Sequence, residues 1–150
     1  MDFSVSDREL AEMRKWWAIY RDDAWGYGQA LFKASVTLQV GEVLILVHVP
    51  AALYSLASLG LLKLNSLPDT HSEEIRIYDT SYTLFFRLEN NLVEVGERFH
   101  TSVSATIDYE SLLSGWRAFA ERVRQFIVHE FPAVLQREDE IGDWFREPRN

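Results

Sequence analysis

The chain contains no cysteine, which removes disulfides, thiolate nucleophiles and thiolate-bound zinc together and fits a reducing compartment. Cations are in deficit: 15 Lys and Arg stand against 23 Asp and Glu, for a net charge of −8 and an isoelectric point near 5.0. A binder of phosphate backbones draws its affinity from clustered cations, so nucleic acid is not an expected partner. Residues Met1 to Asp7 show neither a basic stretch nor an apolar one with a small-residue cleavage motif. Export by a cleaved signal is therefore not expected, and a cytoplasmic protein is. Internal repeats and low-complexity segments are missing. The long run without charge, Val43 to Leu62, meets the length criterion for a membrane span. His48, Pro50, Tyr54, Ser55, Ser58 and Gly60 interrupt it, however, and its first part is β-branched. It reads as a buried strand, then a helix entered at Pro50, and not as a membrane contact.

What is present suits one globular domain. Of 150 residues, 47% are hydrophobic and 25% charged, enough to bury a core without a metal or disulfide staple. Ser6 and Glu9 form a capping box before Leu10, Met13, Trp17 and Tyr20 at helical spacing, predicting a helix over Asp7 to Arg21. Asp22-Asp23, Gly26 and Gly28 stop it, and residues 1–29 read as this helix with an aromatic loop. Phe32 to Val40 alternates strictly, and Gly41-Glu42 turns it into the apolar run Val43 to Val49 as a hairpin. After Pro50, Leu53, Leu56, Ala57, Gly60, Leu61 and Leu64 line one helical face, with Leu59 and Leu62 opposite. Asn65 to Thr70 reads as a loop. Alternation returns at Ile75 and Ile77 and again over Tyr82 to Leu88, with Asn90-Asn91 as a hairpin turn before Leu92 to Phe99 and a short extension over Val103 to Ile107. Asp108 caps a long helix over Tyr109 to Phe131, ended by Pro132. Residues 132–150 read as a charged, loosely held tail in which only Trp144-Phe145 should dock. The order predicts an α+β fold: an antiparallel sheet of about five to six strands with helices packed on one side, the long helix near the C-terminus.

No pattern in this chain specifies a reaction. His48, His71, His100 and His129 lie in separate elements without metal-ligand spacing, and Gly26-Tyr27-Gly28 lacks the rest of a dinucleotide fingerprint. Neither a metal nor a cofactor is expected. The carboxylates Glu73, Glu74, Glu94 and Glu97 read as solvated, as does the tail cluster Glu138-Asp139-Glu140. An acidic face also suits a protein that covers a basic partner. Trp16, Trp17, Tyr20, Trp25 and Tyr27 are either core residues at helical spacing or a binding patch, and Trp144 either folds back or anchors a partner.

The succession from Ala30 to Val49, the leucine-rich helix after Pro50, Glu73 to Ile77, Tyr82 to Glu89, Leu92 to Phe99 and a final amphipathic helix resembles small bacterial α+β immunity-type proteins. It covers about residues 30–131. The resemblance implies a non-enzymatic module that binds a toxin domain and blocks its active site, and it supplies no invariant residues to carry over. On this reading Glu73, Glu74, Asp79, Glu94, Glu97, Trp16 and Trp144 are the candidate contacts to a basic toxin. An alternative is a small enzyme or ligand-binding domain with a pocket between sheet and helices, holding His48, His100 and Tyr82. The chain would act as a monomer or as a homodimer formed through Leu59, Leu62 or a strand edge.

Overall fold

The computed structural model describes residues 1–21, 32–77 and 79–147. The expected glycine turn at Gly26 to Gly28, the aromatics Trp25 and Tyr27, and the start of the resemblance at Ala30 lie outside these residues, as does the side chain of Tyr20. Among the described residues the fold is α+β, with seven strands shared between two antiparallel sheets. The first sheet runs β1 (Asp2–Ser4), β2 (Lys33–Val40) and β3 (Val43–Ala52). The second runs β4 (Ser72–Arg76), β5 (Thr83–Glu89), β6 (Leu92–Glu97) and β7 (Ser104–Asp108). The helices are α1 (Asp7–Tyr20), α2 (Leu53–Thr70), α3 (Tyr109–Glu130) and α4 (Glu140–Arg146), with a short 3-10 turn over Pro132–Gln136.

Local chemistry explains most of these boundaries. Ser6 accepts from the Glu9 amide while Glu9 accepts from the Ser6 amide, the reciprocal cap expected for α1. Gly41 takes φ +60° at the β2–β3 turn, and Asn90 and Asn91 take +50° and +67° at the β5–β6 turn, where short polar side chains tolerate the left-handed region.

The strands divide between two sheets where one of about five to six strands was expected, β1 was not expected, and three further features differ. The strand predicted to end at Val49 runs to Ala52, so Pro50 pairs with Ser35 inside β3 instead of opening a helix. β3 is an edge strand of its sheet, and there a residue without an N–H removes no ladder bond that a neighbour needs. The apolar run is not buried throughout either. Irregularities in the register between Val36 and Gln39, with His48 at φ +49°, break its alternation: Ile45 and Leu46 are both buried, while Leu44 and Val47 are 45% and 52% exposed. The segment Asn65 to Thr70, expected as a loop, is the last part of α2 and carries Pro68 within the helix. Proline has no N–H for the carbonyl four residues before it, Leu64, and the Tyr109 hydroxyl donates to that carbonyl at 2.8 Å instead. Buried Leu67 completes the helix's inward face.

The C-terminal segment is also better ordered than its composition suggests. Asp139 caps α4 through the Gly142 amide, Phe145 is fully buried, and Arg146 donates to the carbonyls of Leu135 and Arg137. Phe145 joins an aromatic cluster in which Phe32 lies 5.2 Å from Phe131 and 6.0 Å from Trp17, and Tyr54 lies 5.4 Å from Phe145. This cluster ties the ends of α1 and α3 to the starts of β2 and α2.

The centre of the core is the meeting of α2 and α3 over the second sheet. Leu112, Trp116, Phe119, Ala120, Val123 and Ile127 face inward as their spacing predicts, against Leu53, Leu56, Ala57, Gly60 and Leu64. The Trp116 ring lies on Gly60 so closely that a Cβ there would fall 2.1 Å from the indole. Gly60→Ala should therefore lower stability by at least about 2 kcal/mol through overpacking. Gly115→Ala, on α3 with open space where its Cβ would stand, should raise stability by up to about 1 kcal/mol through helix propensity. Urea unfolding of the two variants checks both signs.

Candidate loop site around Glu97

The connections β4–β5 and β6–β7 lie at the same end of the second sheet, because β5 and β6 are an antiparallel hairpin closed at the other end by Asn90-Asn91. Glu97 ends β6. It continues the inward register of Val93 and Val95, pairs with Leu84, and is only 2% exposed. A charge placed there requires donors, and the loop supplies them. The Glu97 carboxylate accepts from the backbone N–H of Thr83 at 3.1 Å, Phe99 at 3.1 Å and Thr101 at 3.0 Å, and from that of His100. Burial alone would raise its pKa, but these backbone donors together hold it below the ordinary carboxylate value.

The same bonds fix the loop after β6. Phe99, 68% exposed, and Val103, 44% exposed, are carried on it toward solvent. On the facing connection, the Thr80 hydroxyl donates to the Ile77 carbonyl and accepts from the Tyr82 amide, and Asp79 pairs with Lys33 at 2.9 Å. The two connections meet where the Tyr82 and His100 rings stack, 4.1 Å between centroids at 24°, and where Ser81 Oγ lies 2.6 Å from His100 Nε2.

The sequence-predicted contacts are not gathered into one acidic patch. Glu73 binds Lys63 at 2.9 Å and Ser66 at 2.8 Å beside α2. Glu74 pairs with Arg98, whose guanidinium also lies 5.4 Å from the Phe85 ring centroid, and Glu94 pairs with Arg87 at 3.2 Å. On that outer face Arg76, Arg87 and Arg98 stand among Glu74, Glu89, Glu94 and Asp108, so the two signs are interspersed. Glu97, expected to be solvated, is the buried organiser of the loop. Trp16, 37% exposed, donates to Glu12 at 3.2 Å, with Lys15 over its ring at 5.1 Å. Trp144 is half-buried and folds back edge-on against Tyr54 at 5.1 Å. Of the residues proposed for a pocket, Tyr82 and His100 converge, but at this exposed loop end, whereas His48 sits at the irregularity in β3. A crevice between α2 and β4, lined by Ala52, Ser55, Leu56, Leu59, Ile75, Arg76 and Ile77, has a volume of about 10 Å³, room for roughly one water molecule. Phe99 and Ser81 were not singled out from the sequence. The period-two register that places Glu97 beside Val93 and Val95 was the available signal.

Among the described residues no three His, Asp or Glu side chains form a metal-binding group, and no helix is long and apolar enough to cross a membrane. The chain matches no protein-family model, no curated protein and no solved structure.

Two outcomes follow from the Glu97 geometry. Glu97→Ala leaves several backbone donors converging on an empty position and should cost about 3 kcal/mol; added formate, which refills that position, should recover part of the thermal midpoint. Acidification should act on the same group and on three others whose folded pKa values also lie low. These are Glu73, held by Lys63 and then Ser66, Asp108, held by Ser111, and Asp139, held by Arg137. Unfolding returns the glutamates to 4.5 and the aspartates to 3.8, so the unfolded chain binds more protons below those values. The stabilisation is present above them and is lost as pH falls through the folded values. The urea midpoint should stay level near neutrality and decline from about pH 4.5 downward.

Proposed function

We propose that this chain is a protein-binding module, and that it serves as an immunity protein that neutralises a cognate bacterial toxin by covering the toxin's active site. The observation that supports the reading is Phe99, a large apolar side chain held in solvent by a loop whose backbone is already fixed on Glu97. Exposed aromatics concentrate binding energy, and a loop ordered beforehand loses little entropy on docking. Val103 extends the apolar contact, and the net charge of −8 favours encounter with a basic partner. That charge acts as a general field and not through the five carboxylates proposed from sequence, since four are paired within the chain and Glu97 is buried. The surplus of acid is more evident around α4, where Glu138, Glu140, Asp143 and Glu147 outnumber Arg137 and Arg146.

A small enzyme or ligand-binding domain is the second reading. The meeting of Ser81, Tyr82 and His100 favours it.

The immunity reading is tested by co-expressing the chain with the product of its neighbouring coding sequence. A stoichiometric complex with a basic, otherwise lethal protein, together with restored growth, supports it; growth that stays arrested overturns it. Within such a complex Phe99→Ala should weaken affinity about 30-fold, the size of a central aromatic anchor, measured by titration calorimetry. An unchanged affinity would remove the loop from the interface.

A further inference from the structure

The hydroxyl of Ser81 and the imidazole of His100 take no part in holding Phe99 outward, yet both are fixed. Tyr82 stacks on the His100 ring, the His100 amide is bound to Glu97, and Ser81 sits in a turn closed by the Thr80 hydroxyl. Ser81 Oγ and His100 Nε2 are 2.6 Å apart, and both residues are exposed, so an electrophile can reach them. A nucleophile within hydrogen-bond reach of a base, with that base oriented by a third group, is the arrangement that activates a serine. We propose that Ser81 and His100 are a nucleophile–base pair that takes the acyl group of a small activated ester with an apolar acyl chain.

With the imidazole proton on Nδ1, Nε2 is the acceptor. Ser81 Oγ forms a bond to the ester carbonyl carbon, its proton passes to Nε2, and the carbonyl electron pair moves onto oxygen. The tetrahedral adduct then collapses: the bond to the ester oxygen breaks, the alcohol leaves with the proton from His100, and the acyl group stays on Ser81. Water repeats the sequence and releases the carboxylic acid. The Ser81 amide, without an acceptor among the described residues, is a donor available to the developing oxyanion. Phe99 and Val103, on the same loop as His100, offer apolar surface to the acyl chain. Tyr82 is a positioning residue, since it acts only through the His100 ring.

The test treats the full chain with an alkyl fluorophosphonate, in which Ser81 Oγ displaces fluoride at phosphorus, and reads the adduct by intact mass and peptide mapping. The expected result is a single adduct on Ser81, absent in Ser81→Ala and slowed about 100-fold in His100→Ala, the usual contribution of a general base. Tyr82→Phe, which keeps the stacked ring, should label at the native rate, and Tyr82→Ala should not. Unfolding curves of the exposed-site variants Ser81→Ala and His100→Ala should match the native protein. Labelling no faster than in Ser81→Ala, or a native rate in His100→Ala, overturns the proposal. These readouts are independent of toxin binding, so either reading can fail alone.

Discussion

The close approach of α2 and α3 at Gly60 is the contact on which the rest of the molecule rests. Trp116 can lie against the α2 backbone only because position 60 has no side chain. From there its ring reaches Phe86 of β5 at 5.8 Å and Phe119 at 6.1 Å, both edge-on. One indole thereby joins two helices to the second sheet. The first sheet is held to α3 as well, where Phe3 of β1 packs against Phe119 and Phe126. The Trp116 Nε1 is buried without a hydrogen-bond partner, an unfavourable feature retained where the ring's packing outweighs it.

With that core in place, the far end of the second sheet becomes a platform. β5 and β6 leave their hairpin turn and enter the core side by side. At the end of β6 the inward position that would continue the valines holds a carboxylate. Removing a charge from water is unfavourable by several kcal/mol unless donors replace the lost solvation. The connection after β6 therefore wraps around Glu97 and gives up its amides to it. Order in this loop follows from the charge beneath it, and the loop's apolar side chains are left facing solvent. Outside the sheet the arrangement is the reverse: Phe85 covers Gly96, and Arg98 and Glu74 lie along the ring, a solvated face of paired charges. Such exposed pairs contribute little stability, and the pairing of Glu74 and Glu94 with arginines breaks up the acidic charge there.

Much of this was legible in the residues. The capping box at Ser6, the alternation of β2, the Asn90-Asn91 turn and the inward stripe of α3 each depend on neighbours within a few positions, which sequence shows directly. What misled was composition. Asn65 to Thr70 has the residues of a loop, yet a tyrosine forty-five positions from Leu64 satisfies the carbonyl that Pro68 leaves free, and Leu67 is buried. Pro50 has the look of a helix start, yet an edge strand accepts it. Glu94 and Glu97 look alike in a list of acids and differ completely in register.

The sequence by itself determined the α+β class, the order of the elements from α1 to α3 and the inward faces of the helices, because propensity, capping and periodicity are local. Only the tertiary structure decided the division of the strands into two sheets, the burial of Glu97, the pairing of the other carboxylates and the meeting of Ser81, Tyr82 and His100. Each of those depends on which distant segment lies alongside, and a hydrogen bond or an ion pair acts over ångströms in space whatever the separation along the chain.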